Sequence, residues 1–313
     1  MEFVLIIAGL VILVFGGDYL VKGASGIALK FNMPSMLVGM TVVALGTSSP
    51  ELVVSVRAAL AGKPDISTGN VVGSNVANVC LILGITTIIF PVVIKKSVLK
   101  NDWVAMMLAS ILFYFFALNG EISRWEGILF VGLLAAFITF SFVKANRAAK
   151  DAIPGDLESG KSKNIWILLL YIIFGTAGLV YGAKWFLEGA ESIARNLGIS
   201  DRVIAITLVA FGTSVPELAA SIIAAIKKEH DIFLGNIIGS NLFNILAILG
   251  ITSIIHPISV ADEIIQSDVF WMLATSFILL PMGLLGKKLS RIDGSILFVT
   301  YLIYITILLF NPF

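Results

Sequence analysis

The amino-acid sequence predicts an all-α polytopic membrane protein, with ten transmembrane helices arranged as two inverted five-helix repeats. Three observations carry that expectation. The chain is 58% apolar and only 13% charged, with a mean hydropathy of +1.01, whereas a soluble domain carries roughly 25% charged residues. Its apolar stretches reach the ~20 residues that a helix needs to cross a hydrocarbon core. A constant shift of 166 positions also superposes the second half of the chain on the first.

Apolar runs bounded by charges, Pro or Gly place spans near residues 3–28, 35–60, 67–94, 103–119, 125–143, 166–194, 203–226, 233–258, 269–286 and 293–310. The first begins almost at Met1 without a basic leader or a small-residue cleavage site, so it is expected to remain as a membrane helix. One polar stretch, 144–164, is long enough to be a linker, with Lys144, Arg147, Lys150, Asp151, Pro154, Asp156, Glu158, Lys161 and Lys163. It divides a first repeat, 1–143, from a second, 165–313. The net charge of +1 offers no basic face for nucleic acid. Cys80, the single cysteine, lies in an apolar stretch, so it cannot form an intrachain disulfide and reads as packing.

The internal repeat is explicit in two motif pairs. TVVALGTSSPE at 41–51 matches TLVAFGTSVPE at 207–217, identical at 8 of 11 positions, and GNVVGSNVANVCLILG at 69–84 matches GNIIGSNLFNILAILG at 235–250. Five spans is an odd number, so the second repeat enters the membrane from the opposite side, an architecture of secondary transporters. With the N-terminus outside, the inner segments collect Lys95, Lys96, Lys100, Lys144, Arg147, Lys150, Lys161, Lys163, Lys227 and Lys228, among others. The outer ones hold only Arg57, Lys63, Arg124, Lys184, Arg195 and Arg202. This bias predicts that both termini are extracytoplasmic.

Carboxylates are rare within the spans, and the two furthest from any span end are Glu51 and Glu217, at equivalent repeat positions. A charge at that depth costs several kcal/mol on insertion scales. Each follows Gly-Thr-Ser-x-Pro, through Gly46, Thr47, Ser48 and Pro50, then Gly212, Thr213, Ser214 and Pro216. Proline in a helix interior removes a backbone hydrogen bond, which predicts freed carbonyls near Leu45 and Gly46 and near Phe211 and Gly212. Thr47, Ser48 and Glu51 share one helix face, as do Thr213, Ser214 and Glu217. An all-oxygen set of this kind suits a hard cation such as Ca2+, whereas a soft transition metal would call for His or Cys. The alternative is a pair of hydrogen-bonded structural acids.

The following span of each repeat adds a polar stripe at i, i+4, i+8: Asn70, Ser74 and Asn78, matched by Asn236, Ser240 and Asn244. Helix packing is the other reading of this stripe, since Gly69, Gly73 and Gly84 let helices approach and Asn bonds across interfaces. His230 and His256 fall at span ends and read as interfacial. Asp18 and Lys22, with the sign-exchanged pair Lys184 and Glu188, read as helix-surface ion pairs, with a gating role as the alternative.

GTSSPE with GNVVGSNVAN, and GTSVPE with GNIIGSNLFN, resemble the paired alpha repeats of the cation/Ca2+ exchanger superfamily, in particular the prokaryotic sodium/calcium exchangers. The resemblance covers nearly the whole chain. It implies a core of spans 2, 3, 7 and 8, with the long spans 1 and 6 sliding against it, in a multi-pass protein of the cell inner membrane. By motif position it implies Ca2+ between Glu51 and Glu217 with help from Thr47 and Thr213. It also implies Na+ at one site of Ala44, Thr47, Ser48, Glu51 and Ser74 and another of Ala210, Thr213, Ser214, Glu217 and Ser240.

One position departs from the family pattern: several relatives carry Asp where this chain has Asn244, so Asn78 and Asn244 would serve as neutral ligands. The proton-coupled branch has Glu in the Gly-Asn motif, whereas Gly73 and Ser74 follow GNVV here and Gly239 and Ser240 follow GNII, which favours Na+ over H+ as the driving ion. The expected partners are therefore the lipid bilayer, with Ca2+ and Na+ as transported substrates. No organic cofactor or obligatory protein partner is evident. A Ca2+/H+ antiporter of the same fold and a cation channel remain as alternatives, whereas an intramembrane enzyme lacks any partner within reach of a Ser nucleophile.

Overall fold

The computed structural model describes residues 1–151, 164–198, 210–285 and 288–310. The first repeat runs through α1 (Glu2–Lys30), α2 (Ser35–Thr47), α3 (Ser49–Leu60), α4 (Pro64–Ile89), α5 (Val98–Ala117), β1 (Glu121–Ile122) and α6 (Arg124–Asp151). The second runs through α7 (Ile165–Asn196), α8 (Ala210–Thr213), α9 (Val215–Ile226), α10 (His230–Ile255), β2 (Ile258–Ser259), α11 (Ile264–Leu284) and α12 (Arg291–Phe310). Among the described residues, eight of these helices are long and apolar enough to cross a membrane, and α2 and α3, bent by 48° to one another, meet the same measure when taken together. The remaining expected span, 203–226, is described only from Ala210 onward.

The helical content follows from a medium that leaves backbone groups no water to bond, so each span must satisfy its own N–H and C=O groups. The same constraint explains which residues face outward: Phe3, Trp125, Phe140, Trp166, Phe174 and Phe310 are all exposed large apolar side chains, as a lipid-facing surface requires. The interior is built around α4 and α10, the latter buried without a break from Ile232 to Gly250. The halves repeat in detail. π-Helical turns at Ala77–Ile82 and Val98–Trp103 recur at Phe243–Leu249 and Ile264–Asp268.

Two small departures from an all-helical chain appear at opposite ends of the bundle. Ile122 pairs with Ile258 in the two-residue antiparallel ladder of β1 and β2, and Val92 pairs with Leu289 in an isolated bridge. These bridges satisfy backbone groups where the chain leaves its helices. Helix α6 also continues to Asp151, into the stretch read as linker from residue 144, because Ala145, Arg147, Ala148 and Ala149 are strong helix formers. Residues 152–163 lie outside the described set.

Helices α1 and α7 pack along each other more extensively than any other pair. Glycine makes this approach possible: a Cβ on Gly175 would stand 2.5 Å from the Leu20 nitrogen, and one on Gly16 would stand 2.7 Å from the Leu179 nitrogen. The pair meets the core through apolar side chains, with a cavity of about 210 Å³ between Leu10, Val14, Phe186, Phe211, Val215 and Ile222.

A polar tie joins α1 to the core as well. The Asp18 carboxylate pairs with Lys22 at 2.6 Å, as the sequence suggests, but also with Lys227 at the end of α9 at 2.5 Å. Ser25 Oγ donates to Glu229 Oε1 at 2.9 Å nearby. The reading of Asp18 and Lys22 as a helix-surface pair alone is therefore incomplete, because sequence distance hid the partner on α9. Lys184 and Glu188 do form the expected pair, at 3.8 Å.

If the α1–α7 contact depends on absent side chains, Gly175→Ala should destabilise the protein by about 1–3 kcal/mol through overpacking. Gly132→Ala, on an exposed position of α6 with open space around it, should not. Thermal unfolding of the purified protein in detergent reads the difference. Equal unfolding temperatures for the two variants would contradict this packing.

Candidate cation site

The two Gly-Thr-Ser-x-Pro motifs break their helices. Helix α2 ends at Thr47, Ser48 takes φ −84° and ψ 8°, and α3 starts at Ser49 with Pro50 in its first turn. In the second repeat Ser214, at φ −87° and ψ −1°, separates α8 from α9, which opens with Val215 and Pro216. Proline suits this place because its missing N–H is one that a helix start leaves unpaired anyway. Glu51 and Glu217 thus lie in the first turn of a half-helix, where the positive end of the helix dipole favours an anion.

The expected freed carbonyls are not all free. The Leu45 carbonyl accepts the Ser49 hydroxyl at 2.7 Å, and the Phe211 carbonyl accepts the Ser214 N–H at 3.0 Å. A hydroxyl one residue past the break recaptures the first, a local side-chain bond that the proline argument omits.

Side-chain oxygens converge instead. Glu51 and Glu217 are each only 1% exposed. Ser48 Oγ donates to Glu217 Oε1 at 2.9 Å, a bond from one repeat to the other. Thr47 is fully buried, and its hydroxyl lies 3.2 Å from Asn236 Oδ1 and 3.4 Å from the Ala44 carbonyl. Ala44 is itself buried at the head of this short helical segment, and Ala210 opens the matching segment, α8. Ser74 and Ser240 are buried on α4 and α10.

Of the twelve buried side-chain atoms among the described residues with no hydrogen-bond partner, seven belong to the residues read from sequence as candidate ion ligands. They are Glu51 Oε2, Glu217 Oε2, Thr213 Oγ1, Ser214 Oγ, Ser240 Oγ, Asn78 Oδ1 and Asn244 Oδ1. All seven are oxygens. A buried acceptor left unmade costs about 1–3 kcal/mol, and more when charged, so these oxygens are available to a guest that can satisfy them. Among the described residues no group of three or more His, Cys, Asp and Glu could hold a metal ion. Neutral oxygens must therefore complete any coordination shell around the two carboxylates.

The polar stripe divides into two roles. Asn70 Nδ2 donates to the Glu51 carbonyl at 3.2 Å and to Ser55 Oγ at 2.9 Å, and Asn236 Nδ2 donates to Ser221 Oγ at 3.2 Å. These two asparagines tie adjacent spans together, the packing reading of the stripe. Asn78 and Asn244 stand at π-helical turns, a local unwinding common at functional sites. The π-helical turn of Asn244 packs on α3, which carries Glu51, and that of Asn78 packs on α9, which carries Glu217.

Sequence reasoning missed Asn75 and Asn241, which bond to this pair: Asn244 Nδ2 donates to Asn75 Oδ1 at 3.0 Å and Asn78 Nδ2 to Asn241 Oδ1 at 3.2 Å. The signal was present as the i, i+3 spacing of Ser-Asn-x-x-Asn, which also shares a helix face. The two histidines lie apart from the site at the ends of α10, and His256 Nδ1 contacts the Pro257 carbonyl at 2.8 Å. Cys80 is fully buried and free, as expected for packing.

The fold and this site define a multi-pass helical membrane protein whose duplicated halves each bring one carboxylate to a shared, buried, oxygen-lined centre. The pattern that describes the sodium/calcium exchanger protein family matches residues 1–143 and 167–310, and the chain belongs to that family. It is 36% identical to the sodium/calcium exchanger MaX1 of Methanosarcina acetivorans over 99% of both chains. It is 32% identical to the inner membrane protein YrbG of Escherichia coli over 88% of this chain and 86% of the other. Its structure is similar to that of the sodium-calcium exchanger NCX_Mj, with a TM-score of 0.83 and 31% identity over 97% of each chain.

Proposed function

We propose that the chain is a secondary antiporter that exchanges Ca2+ for Na+ by alternating access. The observation that carries this reading is the pair of carboxylates, Glu51 and Glu217, each 1% exposed and each with Oε2 unpartnered. Family membership and the likeness to exchangers support the same ions. In this reading Ca2+ binds between Glu51 and Glu217 with Thr47 and Thr213. Na+ uses Ala44, Thr47, Ser48, Glu51 and Ser74 on one side and Ala210, Thr213, Ser214, Glu217 and Ser240 on the other. Asn78 and Asn244 contribute neutral oxygens.

Exchange follows from electrostatics. Two bare carboxylates in a low-dielectric cavity are too costly to carry past an apolar seal, so the empty site does not cross. One Ca2+ or a set of Na+ ions neutralises the site, and the two cannot share the same oxygens. Helices α1 and α7, joined along their glycine faces and meeting the core mainly through apolar side chains, with polar ties from Asp18 to Lys227 and from Ser25 to Glu229, act as the moving unit. Residues 1–143 and 165–313 form the two inverted halves, 144–164 joins them in the cytoplasm, and both termini lie outside. Any charge carried in excess then couples to the membrane potential at about 2.3 kcal/mol per charge per 100 mV.

Glu51→Gln and Glu217→Gln should each abolish sodium-driven Ca2+ flux in proteoliposomes while leaving a monodisperse, folded protein, because each removes a charge that every ion set uses. Wild-type flux in either variant would overturn the site.

Asn244 supplies an oxygen without a charge, so a Ca2+-loaded site is already neutral and has no charge left to hold K+. Flux should follow a Na+ gradient, ignore an imposed pH gradient, and persist when choline replaces K+ on both sides with the potential clamped. Collapse without K+ would show that the missing charge is supplied elsewhere, and drive by pH alone would assign the coupling to H+.

A further inference from the structure

Four asparagines and two methionines form a two-fold arrangement at the contact between the repeats. Asn75, Asn78, Asn241 and Asn244 are each 1% exposed, and Met106 and Met272 are fully buried. Asn241 Nδ2 points to the Met106 sulfur at 3.3 Å, and Asn241 Oδ1 accepts from Asn78 Nδ2 at 3.2 Å. The other half mirrors it: Asn75 Nδ2 points to the Met272 sulfur at 3.5 Å and to the Asn241 carbonyl at 3.5 Å, and Asn75 Oδ1 accepts from Asn244 Nδ2 at 3.0 Å. The shift of 166 that relates the two halves of the sequence carries Asn75, Asn78 and Met106 onto Asn241, Asn244 and Met272.

The bonds run in one direction. A thioether sulfur and a backbone carbonyl accept but cannot donate. They therefore draw the NH2 end of Asn75 and Asn241, which turns the Oδ1 of each toward the next amide. That oxygen in turn takes the NH2 end of Asn244 or Asn78. What remains is the Oδ1 of Asn78 and of Asn244, and both are buried without a partner. An amide without such a partner would have two orientations of similar shape, one presenting an oxygen to a cation and one presenting N–H donors that repel it.

We propose that Asn75 and Asn241 are positioning residues that lock the amides of Asn244 and Asn78 with their oxygens toward the cation. The inference rests on the exchanger reading above and deepens it. It also explains a requirement peculiar to a neutral ligand: a carboxylate at 244 would present oxygen either way round and need no orienting acceptor. With Asp at 244, Asn75 Oδ1 would instead face a second oxygen.

The test is a cycle of Asn75→Leu and Asn244→Asp, read as the KM for Ca2+ in sodium-driven flux by the reconstituted full chain. Loss of an outer ligand partner typically weakens metal affinity by about 10–100-fold. Asn75→Leu alone should therefore raise KM by about tenfold or more, with the maximal rate largely kept. In the Asn244→Asp background the same substitution should leave KM unchanged or lower it, because the acceptor it removes is no longer needed.

A loss of equal size in both backgrounds, or no change in either, would overturn the inference and leave Asn75 a packing residue. Should Asn75→Leu fail to fold, Asn241→Leu with and without Asn78→Asp asks the same question from the other half, with the same two outcomes. Absence of sodium-driven flux in the unaltered chain would overturn the exchanger reading itself, which the cycle thereby separates from the positioning role.

Discussion

Two carboxylates placed beside each other in a dry interior set the terms for the rest of this molecule. Each is 1% exposed, and burying two carboxylates without compensating partners is costly. Several features respond to that constraint. Each acid occupies the first turn of a broken helix, where the dipole offsets part of its charge. Ser48 crosses from one repeat to bond Glu217 in the other. Unpartnered hydroxyl and amide oxygens lie on the helices that carry and flank these acids, and a cation would satisfy acids and neutral oxygens together.

The duplication supplies this arrangement economically, because one sequence unit used twice delivers two acids. The symmetry is close around the four asparagines and looser elsewhere. Asn75, Asn78 and Met106 have equivalents in Asn241, Asn244 and Met272 with matching bonds. The Ser48 bond to Glu217 has no counterpart from Ser214, whose hydroxyl is unpartnered. Asp18 bonds Lys227 across α1 and α9, but residue 61, at the position equivalent to Lys227, is alanine.

The membrane class, the spans and the two acids were legible in the sequence because they are written in local patterns. Hydropathy reports the medium, and the 166-residue shift reports the repeat. What escaped were relations between segments distant in the chain. The Asp18–Lys227 pair joins α1 to α9, and the orienting bonds of Asn75 and Asn241 run between repeats. The stripe Asn70, Ser74, Asn78 follows from a four-residue period, but that period passes over Asn75, which lies three residues before Asn78. Asn70 turned out to bond the Glu51 carbonyl and Ser55, a tie that spacing alone could not separate from ligation. The Leu45 carbonyl illustrates the same limit, since a single hydroxyl at Ser49 removes it from the free set.

The central claim is that Ca2+ and Na+ are held by the same two carboxylates and therefore exclude each other. Equilibrium binding of radioactive Ca2+ to the detergent-purified chain, measured across a Na+ titration at constant ionic strength with choline as the balancing cation, tests it most directly. The account predicts that Na+ displaces all the bound Ca2+, along a curve steeper than single-site competition, and that choline displaces none. Ca2+ that stays bound at saturating Na+ would contradict it.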